Sequence, residues 1–373
     1  MTSETIEEKM KITDNNVLSY NYDILRPIDL MREYPWTQEE ELKIIDYRKQ
    51  IQNILDRKDN RKIIIIGPCS IHDVDSALSY AERLRPLAEK FSDRLLIVMR
   101  TYFEKPRTTI GWPGLIDDPN LDYYIDPERQ NRNKGFRLAT RLLKAITNIG
   151  LPLATEFVGL DTPQYIGDYI SWAAIGARTC ESQYHKWMAS ALSMPVGFKN
   201  NTSRELSSCV DGVVTARARG HKFPGIDKYL RNCLITGRGN TYSHVVLRGG
   251  NESHNFRRDS IDKVSELLYK ANIPGNIMVD CSHGNCYDYE LRKKVYTKQL
   301  EAGKSLREQI LDGNENVIGA MYESNLKQGQ QAFPKTKEER DRLDGDISIT
   351  DGCIGWEDSE KELYRWYEEM SKR

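Results

Sequence analysis

Three side chains of the kind that bind metal ions stand at the ends of apolar segments that are far apart in the sequence. Cys69 ends the segment KIIIIGPC, His283 ends NIMVDCSH, and Glu323 lies near the end of VIGAMYES. A thiolate, an imidazole and a carboxylate together make a mixed donor set for a divalent metal ion. Asp351, in SITDGC, follows the last of these segments and is a candidate for the fourth ligand.

A second set of residues is cationic and lies at, or shortly after, the ends of similar segments. It comprises Arg100, Lys105, Arg107, Arg178, Lys199 and Arg248. Neighbouring positive charges repel, so such a set needs anions: Arg suits bidentate binding of phosphate or carboxylate, and Lys acts as a point charge. The alternative is that each cation pairs with a nearby Asp or Glu. A metal ion beside these cations indicates phosphorylated, carboxylated substrates and carbon–carbon bond chemistry at an activated carbonyl.

The segments that carry these residues predict strands that are buried on both faces. Each is a short apolar run without polar alternation, which is typical of parallel sheets. Eight occur, namely Lys62–Cys69, Leu95–Arg100, Leu151–Phe157, Ile170–Ala177, Pro195–Asn200, His244–Arg248, Asn276–His283 and Val317–Ser324. Helical spacing appears between most of them, at Asp75–Phe91, Asn133–Ile149 and Asp259–Ala271. Eight alternating units predict an α/β fold, a (β/α)8 TIM barrel, with its chemistry at the carboxyl ends of the strands.

Two regions fall outside this pattern. Residues 1–58 are predicted to form an N-terminal extension, a polar arm followed by an amphipathic helix that Thr37 caps, ahead of a catalytic barrel in residues 59–373. Residues 221–243 contain two short β-like runs around a polar centre, which predicts a β-hairpin inserted between strands 5 and 6 of the barrel.

Composition excludes several classes of protein. With 54 Lys and Arg against 55 Asp and Glu, the net charge of -1 gives no footprint for nucleic acid or an anionic membrane. No apolar segment approaches the about 20 residues that span a bilayer, and the polar start has no signal-peptide core. The seven cysteines are not spaced as a disulfide framework, so we expect free thiols and a cytoplasmic protein. GxGxxG and GxSxG are absent, which argues against dinucleotide binding and a serine nucleophile.

Several long motifs stand in order along the chain and identify a family. They are GPCSIHD (67–73), YFEKPRTTIGWPGL (102–115), SWAAIGART (171–179), PVGFKN (195–200), LRGG (247–250), DCSHGN (280–285) and SITDGCIGWED (348–358). With these motifs the chain closely resembles the class I, microbial-type 3-deoxy-D-arabino-heptulosonate-7-phosphate (DAHP) synthases. The resemblance extends from about residue 22 to the C-terminus.

The resemblance implies an enzyme that condenses phosphoenolpyruvate with D-erythrose 4-phosphate and water. The products are DAHP and phosphate, in the first step of the shikimate pathway of aromatic amino acid biosynthesis. One divalent ion, Mn, Fe, Co or Zn, is implied to bind the Cys of GPCS, the His of SHGN, the Glu that follows the eighth strand and the Asp of SITD. These are Cys69, His283, Glu323 and Asp351, the same four residues that their placement nominates.

The resemblance also distributes the cations between the two substrates. The residues implied for phosphoenolpyruvate are Arg100, Lys105 and Lys199 on its carboxylate side and Arg178 and Arg248 on its phosphate. Arg107 and Thr108 are implied to face the phosphate of erythrose 4-phosphate. The metal polarises the aldehyde, C3 of phosphoenolpyruvate attacks it, and Lys105 or a group on the metal donates the proton. Lys105, Cys69 and His283 are therefore the residues expected to act in catalysis.

Three alternatives stay open at this stage. The sister reaction, 3-deoxy-D-manno-octulosonate-8-phosphate synthesis, uses arabinose 5-phosphate, but KPRTT, the N-terminal arm and the hairpin favour the four-carbon sugar. A DAHP synthase paralogue of secondary metabolism is compatible with the poorly matching hairpin. A non-catalytic scaffold barrel has no reason to retain both a complete metal set and a complete set of cations.

Regulation and assembly are implied by the same resemblance. In the family, the hairpin and the N-terminal arm build an inhibitor site for aromatic amino acids, and the chains form oligomers, here a homodimer or homotetramer. Tyrosine-sensitive members tend to have Gly where phenylalanine-sensitive members have Ser, and Gly225 in FPGIDK takes this position. A Gly leaves room for a phenolic hydroxyl, so tyrosine is favoured. Pro224 removes a backbone donor from the hairpin, so loss of inhibition is the alternative.

Overall fold

Eight parallel strands close into a barrel in the computed structural model, which describes residues 16–17, 21–203, 205–251 and 253–372. The barrel strands are β1 (Lys62–Gly67), β2 (Leu95–Arg100), β3 (Leu153–Glu156), β4 (Trp172–Ile175), β5 (Val196–Lys199), β8 (His244–Leu247), β9 (Ile277–Asp280) and β12 (Val317–Glu323). Their order around the barrel is β1-β12-β9-β8-β5-β4-β3-β2. Each strand lies within one predicted segment, which confirms the (β/α)8 barrel. Most of the predicted N-terminal arm lies outside the described residues.

Helices surround this barrel and confirm the predicted alternation. In chain order they are α1 (Pro27–Glu33), α2 (Gln38–Leu55), α3 (Val74–Lys90), α4 (Arg132–Ile149), α5 (Thr162–Ile166), α6 (Gln183–Ala191), α7 (Leu206–Arg217), α8 (Arg258–Lys270), α9 (Gln299–Leu311), α10 (Lys337–Arg340) and α11 (Trp356–Met370). None of these described helices is both long enough and apolar enough to cross a membrane. Thr37 caps α2 as predicted, because its hydroxyl accepts from Glu40 N at 3.2 Å while the Glu40 carboxylate accepts from Thr37 N at 2.8 Å.

Helix α2 closes the amino-terminal end of the barrel. Its buried residues Ile51, Ile54 and Leu55 join the cluster of apolar side chains that fills the barrel interior. That cluster also contains Ile63, Ile65, Leu96, Val98, Ala154, Trp172, Ala174, Val246, Met278, Ile318 and Met321. Side chains two residues apart share one face of a strand, so pairs such as Ile63 and Ile65, or Leu96 and Val98, define the inward-facing positions of their strands.

Two antiparallel pairs of strands lie outside the barrel. Strands β6 (Lys222–Ile226) and β7 (Asn232–Thr236) form the predicted hairpin, which follows α7 and precedes β8. Its tip contacts the first helix, because Lys228 O accepts a 2.9 Å hydrogen bond from Ile28 N. The second pair, β10 (Tyr287–Asp288) and β11 (Lys293–Lys294), was not predicted from the sequence.

Candidate active site

The inward-facing side chains change from apolar to charged at the carboxyl ends of the strands. In β2 the inward series is Leu96, Val98 and then Arg100, and in β9 Met278 is followed by Asp280. The same alternation puts Glu156, Lys199 and Glu323 at the last position of their strands and Arg248 directly after β8. One rim of the barrel is therefore lined with charge, although each of these strands is buried along its length.

One open cleft at this rim collects almost all the predicted site residues. Its lining includes ten of the eleven, namely Cys69, Arg100, Lys105, Arg107, Thr108, Arg178, Lys199, Arg248, His283 and Asp351. Glu323 is fully buried and lies beneath the surface of the cleft, against Arg100 and His283. Cys69 and His283 do not lie on strands but two and three residues after them, in the loops that follow β1 and β9.

The four candidate metal ligands lie close together. Ligand atoms of Cys69, Glu323 and Asp351 are all within 4.8 Å of one another. His283 Nε2 lies 3.6 Å from a Glu323 oxygen and 3.8 Å from an Asp351 oxygen. One soft sulfur donor, one imidazole and two carboxylates suit a transition-metal ion better than Mg²⁺ or Ca²⁺, which favour oxygen ligands. The donor set therefore fits a divalent ion such as Mn, Fe, Co or Zn.

Buried charges control the protonation of this cluster. Burial, reinforced by Glu323, raises the pKa of Cys69 to about 11, while the ammonium of Lys105, 3.1 Å from the sulfur, opposes the shift. Burial would also raise the pKa of Glu323, but His283 and Arg100 outweigh it and hold that pKa well below its usual range. The cluster thus contains a permanent carboxylate and a thiol that a metal ion would have to deprotonate.

Three of the cations surround one aromatic ring, that of Tyr102. The centroid of this buried ring lies 3.8 Å from Arg100 Cζ, 5.4 Å from Lys199 Nζ and 5.6 Å from Lys105 Nζ. The negative face of an aromatic ring attracts cations, and this attraction strengthens when water is excluded. Tyr102 was not among the predicted site residues. It lies two positions after Arg100 and is the first residue of the motif YFEKPRTTIGWPGL.

Two further acidic residues at the rim were also missed. Lys199 Nζ lies 3.2 Å from Glu156 and 3.2 Å from Asp280, and all three side chains are buried. Burial would lower the pKa of Lys199, but Tyr102 and Glu156 outweigh it, so that pKa is raised and the ammonium stays charged. For Lys199, and for Arg100 with its 3.1 Å contact to Glu323, the alternative of carboxylate pairing is correct.

Among the described residues, three of the arginines are not paired with a carboxylate. Within the described part of the chain, no carboxylate lies within 4.0 Å of Arg107, Arg178 or Arg248. Arg178 Nε donates to Thr108 Oγ1 at 2.8 Å, whereas burial lowers the pKa of Arg248. These three guanidinium groups are therefore the ones with capacity left for an anionic ligand. Lys294 on β11 also lines the cleft, 4.0 Å from Asp351, and nothing in the sequence singled it out.

Three buried asparagines join the loops that carry these groups. Asn200 Oδ1 accepts from Arg248 N at 2.9 Å and from Asn255 Nδ2 at 3.1 Å. Asn255 in turn accepts from Gly249 N at 2.7 Å, and Asn285 accepts from Asn255 N at 2.8 Å. The network links the loops after β5, β8 and β9. It explains why PVGFKN and DCSHGN end in Asn, which had no role in the sequence-based interpretation.

Comparison with known proteins agrees with this architecture. The model of the DAHP synthetase I family matches residues 37–363. The Tyr-sensitive phospho-2-dehydro-3-deoxyheptonate aldolase of Escherichia coli K12 is 41% identical over 360 residues, which is 96% of this chain and 95% of that protein. The Trp-sensitive enzyme of the same organism is 43% identical over 340 residues, with 91% and 92% coverage. A solved structure of this aldolase from Francisella tularensis superimposes with a TM-score of 0.88 at 39% identity, covering 95% of this chain and 99% of that one. The chain belongs to the DAHP synthetase I family.

Proposed function

We propose that this protein catalyses the condensation of phosphoenolpyruvate with D-erythrose 4-phosphate and water to give DAHP and phosphate, the first step of the shikimate pathway. The observation that carries the proposal is one cleft where four candidate metal ligands meet beside arginines that, among the described residues, have no carboxylate within 4.0 Å. Relatives that match nearly the whole chain are named as this aldolase.

Cys69, His283, Glu323 and Asp351 are proposed to hold one divalent ion, Mn, Fe, Co or Zn. When bound, the ion acts as a Lewis acid toward the aldehyde of erythrose 4-phosphate. Lys105 supports the site because its ammonium, 3.1 Å from the sulfur, favours the thiolate form of Cys69. The same ammonium is our candidate for the proton donor to the new alkoxide, with a group on the metal as the alternative.

Phosphoenolpyruvate is proposed to lie along the inner cations. Arg178 and Arg248, which have no carboxylate within 4.0 Å in the described part of the chain, are suited to its phosphate. Arg100, Lys105 and Lys199 surround Tyr102 and are suited to its carboxylate. Their own carboxylate contacts hold Arg100 and Lys199 in place before the substrate arrives, which reduces the reorganisation that the reaction requires.

Erythrose 4-phosphate is proposed to bind toward the exposed side of the cleft. Arg107 and Thr108 belong to the exposed part of the loop after β2 and are suited to its phosphate. Because Thr108 already contacts Arg178, the two phosphate sites are neighbours. The cations between them offset the repulsion of two polyanionic substrates. The test is a product assay with erythrose 4-phosphate and arabinose 5-phosphate as competing aldehydes: only the first should release phosphate at a high rate, and preference for the second would favour the sister reaction.

Regulation by tyrosine is proposed for the hairpin. Relatives at similar identity are named Tyr-sensitive and Trp-sensitive, so identity alone does not choose between the effectors. Gly225 pairs with Cys233 across the hairpin, and a Cβ at Gly225 would approach Ile235 Cδ1 to 2.6 Å. The side chain of Ile235 therefore occupies the position that the Cβ of a Ser would take, and a Ser at 225 would have to displace it. Initial rates with tyrosine, phenylalanine and tryptophan test this, and inhibition by one of the other two alone would contradict it.

Assembly and location are also proposals. We propose a homodimer or homotetramer, a cytoplasmic location, and a division into an arm and helix in residues 1–58 and a catalytic barrel in residues 59–373. A role in secondary metabolism stays a prediction that regulation would help to decide. Light scattering of the purified chain tests the assembly.

A further inference from the structure

Asp280 connects the two halves of the cleft. It is the last residue of β9, it faces the barrel interior, and its side chain is fully buried. One of its oxygens, Oδ2, lies 3.0 Å from His283 Nδ1 and 3.2 Å from Lys199 Nζ. The other accepts from Ser282 N at 3.1 Å. A single carboxylate therefore contacts one candidate metal ligand and one candidate substrate cation.

The contact with His283 determines which ring nitrogen of the imidazole is available to a metal ion. Nδ1 of His283 and Oδ2 of Asp280 lie 3.0 Å apart, outside regular hydrogen-bond geometry, and neither atom has a hydrogen bond to any other group among the described residues. Asp280 is therefore the group placed to hold the proton on Nδ1. With the proton on Nδ1, the lone pair of Nε2 points toward the carboxylates of Glu323 and Asp351. His283 also has a left-handed backbone (φ 58°), a conformation that non-glycine residues adopt only when their surroundings hold them.

The contact with Lys199 is shared with a second carboxylate, that of Glu156. Each lies 3.2 Å from the ammonium. No contact within 4.0 Å joins Glu156 to His283 in the described chain. The two acids can thus be told apart: both support Lys199, but Asp280 alone supports His283.

We propose that Asp280 is a positioning residue that serves the metal site and the phosphoenolpyruvate site at once. It holds the imidazole of His283 in the tautomer and orientation that bind a metal ion, and it holds the ammonium of Lys199 toward the substrate carboxylate. Partners that orient a metal-binding His commonly change metal affinity 10- to 100-fold when they are removed. The inference rests on the function proposed above.

The test compares three variants of the full chain for Co²⁺ affinity, measured on metal-free protein by absorbance in competition with a chelator. Asp280→Asn should weaken Co²⁺ binding by about 10- to 100-fold and raise the KM for phosphoenolpyruvate. Glu156→Gln should raise that KM while leaving Co²⁺ affinity unchanged. Glu40→Gln is the matched control: Glu40 is a buried carboxylate 2.6 Å from Lys144, far from the cleft, and Gln preserves its capping role. It should change neither quantity.

Each outcome bears on one claim. If the unmodified protein binds no Co²⁺, the proposed function fails before Asp280 is at issue. If the unmodified protein binds it and Asp280→Asn binds it equally well, the positioning role is wrong. If Asp280→Asn and Glu40→Gln lost Co²⁺ affinity equally, Asp280 would have only a general structural role.

A measurement on the unmodified protein covers the case in which Asp280→Asn does not fold. ¹⁵N spectra of metal-free protein labelled at its six histidines, assigned with His283→Gln, report which ring nitrogen carries the proton. The proposal predicts a proton on Nδ1 of His283. A proton on Nε2 would overturn it.

Discussion

The two ends of the barrel are built by the same strands but have opposite chemistry. At the amino-terminal end the inward positions are apolar and α2 covers them with Ile51 and Leu55. A buried polar pair at this end is satisfied, because Trp172 Nε1 donates to His244 Nε2 at 3.1 Å. At the carboxyl end the inward positions are Arg, Lys, Asp and Glu. Burying charges costs free energy even when they are paired. The apolar end of the barrel therefore stabilises the fold, whereas the charged end, where we propose that the ligands bind, reduces the stability of the fold.

Two histidines, one at each end of the barrel, illustrate this difference. Burial lowers the pKa of His244 to about 4, so this residue is a neutral packing group. Burial also lowers the pKa of His283, but Asp280 and Glu323 oppose the shift. His244 thus has neutral neighbours that satisfy it, whereas His283 has anionic neighbours that favour a cation, and a metal ion would provide one.

The largest effect is expected from Cys69→Ala at the carboxyl end. Loss of the thiolate removes the soft ligand of the proposed metal site, and Lewis-acid stabilisation amounts to several kcal/mol, so kcat should fall by about 1,000-fold or more. Thermal unfolding should change little, because Ala removes only the sulfur atom, and Cys69, although buried, lies in a loop outside the apolar cluster of the barrel interior. A fall in melting temperature large enough to explain the lost activity would contradict the claim that the two ends of the barrel differ in their contribution to stability.

For Trp172→Ala, at the amino-terminal end, we expect a loss of stability while metal binding is retained. Truncation of a fully buried aromatic side chain should cost about 3–5 kcal/mol of the free energy of unfolding. The metal site should be intact in the molecules that remain folded, so their Co²⁺ affinity should match that of the unmodified protein. Denaturant unfolding and metal titration together check this, and weakened Co²⁺ binding without lost stability would contradict it.

Within the charged end, the arginines should divide between the substrates. Arg178→Ala or Arg248→Ala should raise the KM for phosphoenolpyruvate by about 10- to 150-fold, since a charge-assisted contact contributes about 1.5–3 kcal/mol. Arg107→Ala should act mainly on erythrose 4-phosphate. Steady-state kinetics with each substrate varied in turn decide the question. If all three variants raised the KM for the same substrate, our allocation of the cations would be wrong.

The smallest effect concerns acid stability at the apolar end. The pKa of His244 is about 4 in the fold and about 6.5 in an unfolded chain, so the unfolded state binds more protons between these values. Stability should therefore fall as pH drops below about 6.5, with His244 contributing about 2 kcal/mol between pH 7 and pH 5. His244→Gln removes this contribution, and its unfolding free energy should depend less steeply on pH. Equal slopes in the two proteins would show that His244 is not protonated on unfolding.

The strands and the clustering of the four candidate metal ligands were predictable because both leave local signals. A doubly buried strand such as KIIIIG has an unmistakable apolar run, and polar residues that follow several such runs must meet at one rim of a parallel barrel. Chain order alone is therefore enough to predict Cys69, His283 and Glu323 as candidate metal ligands.

The supporting residues were not predictable in the same way, because their partners lie on distant strands. Glu156 and Asp280 each stand inside a predicted strand, and their shared contact with Lys199 exists only once β3, β5 and β9 are closed into a barrel. One signal was available: a carboxylate within an apolar, doubly buried segment must find a partner. The β10–β11 pair that carries Lys294 is too short to show a strand pattern in the sequence.

The most direct test of the account is phosphate release from phosphoenolpyruvate and erythrose 4-phosphate by protein stripped of metal with a chelator. The charged rim alone should bind the substrates without turning them over, because the aldehyde lacks its Lewis acid. We predict no turnover above background until a divalent ion is restored, with full activity at one ion per chain. Full turnover by the metal-free protein would contradict the proposal that this end of the barrel works through a metal ion held by Cys69, His283, Glu323 and Asp351.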